Sequence, residues 1–402
     1  MIALCRFFVS CGPTVRLGIA VRFLLTGSLL AATPACVSAQ GFLDQFRDPD
    51  DGSFDVSEWW ATAHGFLPVV SLVTEPALGY GLAGAAAFLH REEGWTLEDA
   101  REAFRTGQRQ SPPSISAPVG LYTQNGSWAA GGGHRGIWKN DRIRYLGGGG
   151  YGSFELAVVG KGDQSADQEL SYTIEGWGLV QSLALRISDL DWFWGFEYRI
   201  VSSKVTFDTE EIDPGLNVPS SSFRTAGLGF SLLFDSRNNT FTPDRGLYFK
   251  TQLSRQDDLF GGEADYWSGY AYGLFFAQPV PSWVLGLRLE GRFAQEASPF
   301  WDLPSVGMRG IPAMKYIGQT MALTEGEVRW DLAPRWSLLA FGGVGWTRNT
   351  RAEEDLTRRV ESGGMGFRYL LARAFGLRAG IDVAYSHSGW AWYTTMGSAW
   401  LK

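Results

Sequence analysis

Trp283-Val284-Leu285-Gly286-Leu287-Arg288-Leu289-Glu290-Gly291-Arg292-Phe293 alternates with period two. Trp283, Leu285, Leu287, Leu289 and Phe293 share one face, and Val284, Gly286, Arg288, Glu290 and Arg292 share the other. In a strand, successive side chains point to opposite faces, so one side wants an apolar environment and the other tolerates charge. A soluble sandwich uses that pattern with its oily face turned inward. A barrel in a membrane uses it with the oily face turned outward to lipid.

The pattern recurs through most of the chain. Strand-like segments fall near 79–90, 115–124, 127–138, 142–155, 170–186, 190–207, 221–235, 245–256, 264–277 and 282–295. They resume near 317–332, 335–348, 359–372, 376–387 and 390–401. That makes fifteen, and single-chain bacterial barrels carry even numbers. The sixteenth is expected in Val69–Val73 or within 142–160. Small or charged residues are expected to line the lumen. On that rule Asp265, Gly269, Ala271 and Gly273 face inward, and Tyr266, Tyr270, Tyr272, Leu274 and Phe276 face lipid. Likewise Arg378, Gly380, Asp382 and Ser386 face inward, opposite Leu377, Ala379, Ile381, Val383 and Tyr385. Asn140-Asp141 and Ala333-Pro334 read as tight turns, while 157–169, 207–220 and 296–316 read as long loops. Thr96 to Arg105 has a cap residue, an acidic first turn and late arginines, which predicts a short helix.

Composition favours the membrane alternative. The 402 residues include 51 Gly, 17 Trp, 14 Tyr and 26 Phe, with only 19% charged. Globular chains average about a quarter charged and about 7% glycine. Barrel walls are glycine-tolerant and carry aromatic girdles at both interfaces. After residue 40 no run of 18 apolar residues occurs, so no spanning helix is expected there.

Residues 1–39 read as a secretion signal: Arg6, Arg16 and Arg22, the apolar run Phe23 to Ala32, then Val37-Ser38-Ala39 before Gln40. Cys5, Cys11 and Cys36 all lie inside it, so the mature chain offers no disulfide or thiolate site. Losing three arginines and no acids leaves 32 basic against 42 acidic residues, a net charge of −10. That balance gives no electrostatic case for nucleic acid. Residues 40–66 form a short polar lead, and 67–402 the barrel.

Motifs for chemistry are weak. Gly79-Tyr80-Gly81-Leu82-Ala83-Gly84 matches a dinucleotide fingerprint but lacks the βαβ context that places phosphates on a helix N-terminus. Asp48, Asp50, Asp51, Asp55 and Glu58 miss calcium-loop spacing and read as a solvated acidic tail. His64, His90, His134 and His387 lie far apart, with no paired spacing, and read as ordinary interface or lumen residues. No nucleophile elbow or P-loop appears. An enzyme, a metal site and a cofactor are not expected.

The C-terminal half carries a resemblance. Asp235-Ser236-Arg237-Asn238-Asn239, Pro243 and Gly246 form a polar turn. Met308-Arg309-Gly310-Ile311 follows in a long loop, and Glu325, Glu327, Arg329 and Asp331 alternate behind it. Tyr393 to Trp400 is an aromatic finish. In this order these resemble the BamA/TamA family of outer-membrane proteins, the bacterial surface antigens. The likeness covers about 67–402, and Leu67-Pro68 through Gly79-Tyr80-Gly81 looks like the family's first barrel strand. The resemblance implies a sixteen-stranded all-β transmembrane antiparallel barrel in the outer membrane of a Gram-negative-type cell. It implies that Arg309, next to Gly310, folds into the lumen onto acidic partners, for which Glu327 and Asp382 are the candidates. It makes Tyr393, Gly397 and Trp400 the C-terminal signal read by the assembly machinery that inserts the barrel. The family's F-x-D-x-G motif appears as Phe341-Gly342-Gly343-Val344-Gly345, without its acid. Trp400 is followed by Leu401-Lys402 where an aromatic usually closes the chain, and no POTRA modules are found. The implied roles are membrane-protein or lipid assembly and transport, with outer-membrane lipid and a periplasmic or client protein as partners. A passive pore or structural surface barrel is the alternative, and a soluble all-β binding protein the second.

Overall fold

A computed structural model of the protein describes residues 44–61, 66–73, 78–90, 94–109, 112–161, 167–207, 220–350 and 356–400. The signal-like residues 1–39, Thr74 to Ala77, most of 207–220 and Leu401-Lys402 lie outside the described residues.

The alternating segments form one sheet of sixteen strands, in sequence order and antiparallel throughout. The strands are β1 (Phe66–Val73), β2 (Gly81–His90), β3 (Ser114–Thr123), β4 (Trp128–Trp138), β5 (Ile143–Lys161), β6 (Asp167–Arg186), β7 (Trp192–Phe207) and β8 (Ser221–Asp235). They continue with β9 (Gly246–Gln256), β10 (Tyr266–Val280), β11 (Trp283–Ala294), β12 (Thr320–Asp331), β13 (Trp336–Asn349), β14 (Leu356–Ala372), β15 (Leu377–Ser386) and β16 (Gly389–Met396). Two α-helices accompany them among the described residues, α1 (Ser57–Ala61) and α2 (Leu97–Thr106). Thr96 caps α2, its hydroxyl accepting from Asp99 N at 3.1 Å.

The sheet curls until β1 and β16 meet. On β11 the outward Leu285, Leu287 and Leu289 are exposed, while Arg288 and Glu290 are buried inside. Aromatic pairs gather at both rims of the wall. Trp138 stacks on Tyr145 at 5.7 Å, Trp283 on Trp330 at 5.7 Å, and Trp336 packs against Tyr369 at 4.9 Å, all near short turns. Trp128 with Tyr151 at 5.6 Å and Tyr385 with Trp390 at 4.9 Å mark the other rim. Two girdles flanking an oily band are the surface a bilayer requires. Among the described residues no helix is long and apolar enough to cross a membrane.

The structure decides one open expectation and corrects others. The sixteenth strand is β1, in the Val69–Val73 region. The stretch from Leu67 to Gly81, read as one strand, holds β1 and the start of β2. Gly81 and Gly84 therefore lie within a strand, not in a strand-to-helix turn. Residues 157–161 and 167–169, expected in a loop, extend β5 and β6, which pair from Ile143↔Leu185 to Lys161↔Asp167. The last strand ends at Met396, short of 401.

The faces of β10 are inverted relative to expectation. Tyr266 and Tyr272 are wholly buried, and Gly273 sits on the outer wall. The cause is register. Tyr272 pairs with Glu290 and Lys250, and Leu274 with Arg288, and cross-strand partners share a face. The rings also serve the lumen cations: Arg292 lies 5.3 Å from the Tyr270 ring and Arg288 5.6 Å from that of Tyr272. Outside, Gly273 lies between Phe249 and Leu289 and leaves an apolar hollow of about 360 Å³.

The acidic lead is not a solvated tail. Asp48 and Asp55 are buried, and Arg335 bridges both at 2.6 Å and Asp51 at 2.7 Å. Arg335 sits in the β12–β13 turn, so the lead is strapped across the short-turn rim. Behind it Trp60 packs on Phe375 at 4.7 Å, and Trp95 stacks on the same ring at 5.9 Å. A buried arginine needs several acids in close geometry, and the aspartate spacing supplies them.

Candidate functional site

The connection between β11 and β12 leaves the wall and enters the lumen. Its anchor is Asp302, whose two oxygens accept from Arg199 Nη2 at 2.8 and 2.6 Å and whose Oδ2 accepts from Tyr266 OH at 2.5 Å. Val306, Met308 and Ile311 then pack on Met321 and Leu323 of β12. Apolar residues thus carry the loop to the depth at which Arg309 meets its partners.

Arg309 is 4% exposed and lies among carboxylates from two strands. Its Nε donates to Glu325 Oε1 at 2.9 Å, and its Nη1 donates to Asp382 Oδ2 at 3.0 Å. Glu327 Oε2 forms an ion pair with Nη1 at 2.8 Å. The guanidinium also lies 3.5 Å from the centre of the Phe341 ring. The cluster extends on both sides. Arg368 donates to both oxygens of Asp382 at 2.5 and 2.9 Å. Arg288 donates to Glu325 at 3.1 Å and to Glu290 at 2.6 Å, and Arg292 to Glu290 at 2.5 Å. Arg288, Arg292, Arg309 and Arg368 face Glu290, Glu325, Glu327 and Asp382, so the formal charges cancel. A balanced, hydrogen-bonded cluster can persist where lone charges could not.

Gly310 lets the loop come this close. Its φ is +87°, and a Cβ there would lie 3.2 Å from that of Ala384 and 3.3 Å from that of Ser362. Its N–H donates to the Tyr393 hydroxyl, and its carbonyl accepts from Ser386 Oγ at 2.6 Å. Tyr393 on β16 is therefore a lumen contact of the loop.

Beyond β16 the chain turns inward at Gly397, φ +80°. Gly397 N donates to Arg378 O and Ser398 N to Phe241 O, both at 2.6 Å. Phe241 belongs to the polar turn 235–246, which Asn239 Nδ2 ties to Phe375 O at 2.8 Å. Trp400, 3% exposed, then reaches the cluster from the short-turn side. Its Nε1 donates to Glu325 Oε2 at 2.7 Å, and Tyr272 OH donates to its carbonyl at 3.1 Å.

The structure thus brings Arg309, Gly310, Glu327, Asp382, Tyr393 and Trp400 together, with Gly397 as the turn that admits the last. Glu325, Arg288, Arg368 and Phe341 were missed as partners. Period two places Glu325 on the same face as Glu327, but only the loop's depth selects between them. Chemically the cluster is a lock, since guanidinium groups engage each of its carboxylates.

No protein-family model matches the sequence, and no curated protein sequence matches it. Solved structures do match. BamA from Haemophilus ducreyi lacking POTRA domains 1-3 superposes over 83% of this chain and 70% of its own, with TM-score 0.54 and 11% identity. CdiB from Acinetobacter baumannii covers 82% at TM-score 0.53 and 10% identity, and this chain spans 59% of its length. CdiB from Escherichia coli covers 85% of this chain and 69% of its own, at 0.52 and 9%. At such identities the likeness is one of fold: a BamA- and CdiB-like sixteen-stranded barrel.

Proposed function

We propose that this chain is an integral outer-membrane barrel that helps membrane proteins or lipids into or across the bilayer, using the seam between its first and last strands. The supporting observation is that seam. Among the described residues every strand is laddered to its sequence neighbours, but the ladder is not continued from β16 to β1. One side-chain hydrogen bond across it joins the Ser71 and Thr394 hydroxyls. Strand edges that are not laddered to each other can take up an incoming strand. The oily outer wall supports a bilayer location, and the locked lumen speaks against a passive pore. Outer-membrane lipid, a client or periplasmic protein, and the machinery that inserts the chain are the proposed partners, after export with a cleaved signal.

A tether tests the reading. Ser71→Cys with Thr394→Cys gives a chain whose seam closes on oxidation. Reconstituted in lipid vesicles, the reduced chain is expected to speed insertion of an unfolded eight-stranded test barrel, and the oxidised chain to lose that effect. Equal rates with and without the tether, or recovery of the chain outside the outer-membrane fraction, would sink it.

A further inference from the structure

The outer wall carries a polar trio that the lumen lock does not use. His90 ends β2, Ser116 lies on β3 and His134 on β4, and Ser116 pairs directly with His134. All three face outward, in step with the exposed Phe88, Tyr122 and Trp138 of the same strands. Ser116 Oγ lies 2.8 Å from His90 Nε2 and 2.8 Å from His134 Nδ1, with the two rings 5.5 Å apart. The His134 ring is 6.2 Å from both Trp138 and Tyr145, so the trio sits just on the membrane side of the short-turn girdle.

We infer that Ser116, His134 and His90 form a site for lipid-ester acyl transfer on the membrane-facing wall. A serine hydroxyl has one proton and can donate to only one imidazole. The other imidazole must bring its own N–H to the shared oxygen. One histidine is thereby a base for the hydroxyl, and the other a donor beside it, which is the division of labour nucleophilic serine needs. His134, opposite Ser116 and flanked by two aromatic rings, takes the base role. His90, exposed at the strand end, takes the donor role.

Placement selects the substrate. Girdle aromatics lie at headgroup level, so a group just inside them meets the ester linkages of a phospholipid. Past the trio, away from the girdle, the outer wall flattens to Gly84, Ala86, Pro118, Gly120, Ala130 and Gly132. A Cβ at Gly84 would touch nothing within 4 Å, and one at Gly120 only a carbonyl at 3.7 Å. An acyl chain can lie along this strip while its ester rests on Ser116. Oγ attacks the ester carbon as its proton passes to His134 Nδ1, and the His90 N–H donates to the developing oxyanion. The ester C–O bond breaks, and the leaving alkoxide takes the proton from His134. Water, activated by the same base, then cleaves the acyl-serine and frees a fatty acid.

The test uses the full chain in vesicles of phosphatidylethanolamine and phosphatidylglycerol, with a fluorophosphonate probe read by mass spectrometry. Fatty acid should be released and the probe found on Ser116. Ser116→Ala should abolish both, His134→Gln should slow release by about 10²–10⁴-fold, and His90→Gln by about 10²–10³-fold. Heat-modifiable gel mobility should be unchanged in all three. A folded barrel that neither labels nor releases fatty acid overturns the assignment, as does release that survives Ser116→Ala. A chain that will not enter the vesicles overturns it too, because the trio then never meets lipid.

Discussion

Trp400 donates its indole N–H to Glu325 at 2.7 Å, and the same carboxylate accepts from Arg309 at 2.9 Å. Two segments that enter the lumen from opposite ends, the β11–β12 loop and the tail after β16, therefore close on one side chain. The tail follows directly on β16, the strand that forms one edge of the seam.

Removing Arg309 should be costly. Arg309→Ala leaves Glu325 and Asp382 buried with fewer counter-charges, a loss of about 3–5 kcal/mol for a broken buried pair. The barrel should unfold at a lower temperature on heat-modifiability gels, and the 296–316 loop should become open to protease. Arg309→Lys keeps the charge but not the fork of donors, and should fall between. Unchanged mobility and unchanged proteolysis would count against the lock.

Trp400→Ala should open the lumen from the other side. Gly286 on β11 has no room for a Cβ, which would sit 2.7 Å from the Trp400 ring, so the indole fills its space closely. Losing it should cost about 3–5 kcal/mol, as for other buried aromatics. In planar bilayers the intact chain is expected to be silent and the variant to show discrete conductance. An intact chain that conducts steadily would revive the passive-pore reading.

Period two was enough to place fifteen strands, because each face meets one medium along its whole length. It could not say which face of β10 is wet, since Tyr266 and Tyr272 are apolar enough for lipid and polar enough for a cation-rich lumen. That choice rests on register against Lys250 and Glu290, which no single segment contains. The Arg309 partners were half legible: Glu327 and Asp382 followed from face and resemblance, while Glu325 and Trp400 depend on loop depth and an inward turn. The His90, Ser116 and His134 trio was invisible for a similar reason, because three strands must pair before residues so far apart in sequence share a hydroxyl.

The lead should let go in acid. Hydrogen bonding from Arg335 comes first in holding the Asp51 carboxyl at about 2, below its ordinary 3.8. A carboxyl whose folded value is lowered contributes stability that is complete above the unfolded value and vanishes as pH falls through the folded one. The strap should therefore hold above about pH 4 and loosen towards about pH 2. An acid-active protease should cut within 44–61 only at the low end of that window. Asp51→Asn should shift the cutting upward, and Arg335→Ala should allow it at neutral pH.

The inverted strand gives the sharpest check on the wall itself. The mature chain is expected to lack cysteine, so single cysteines at neighbouring β10 positions can report which side faces lipid. Gly273 opens onto the outer hollow between Phe249 and Leu289, whereas the Tyr272 ring is wholly buried. With Gly273→Cys, a lipid-soluble maleimide should react quickly and a charged one slowly. With Tyr272→Cys, both should react slowly while the lock is intact. Gly273→Leu should be tolerated or mildly stabilising in lipid, because it fills apolar space without displacing a neighbour. Fast labelling at 272 by the lipid-soluble reagent, with protection at 273, would mean that the tyrosines face the bilayer. The register that seats Tyr272 beneath Trp400 would then be wrong.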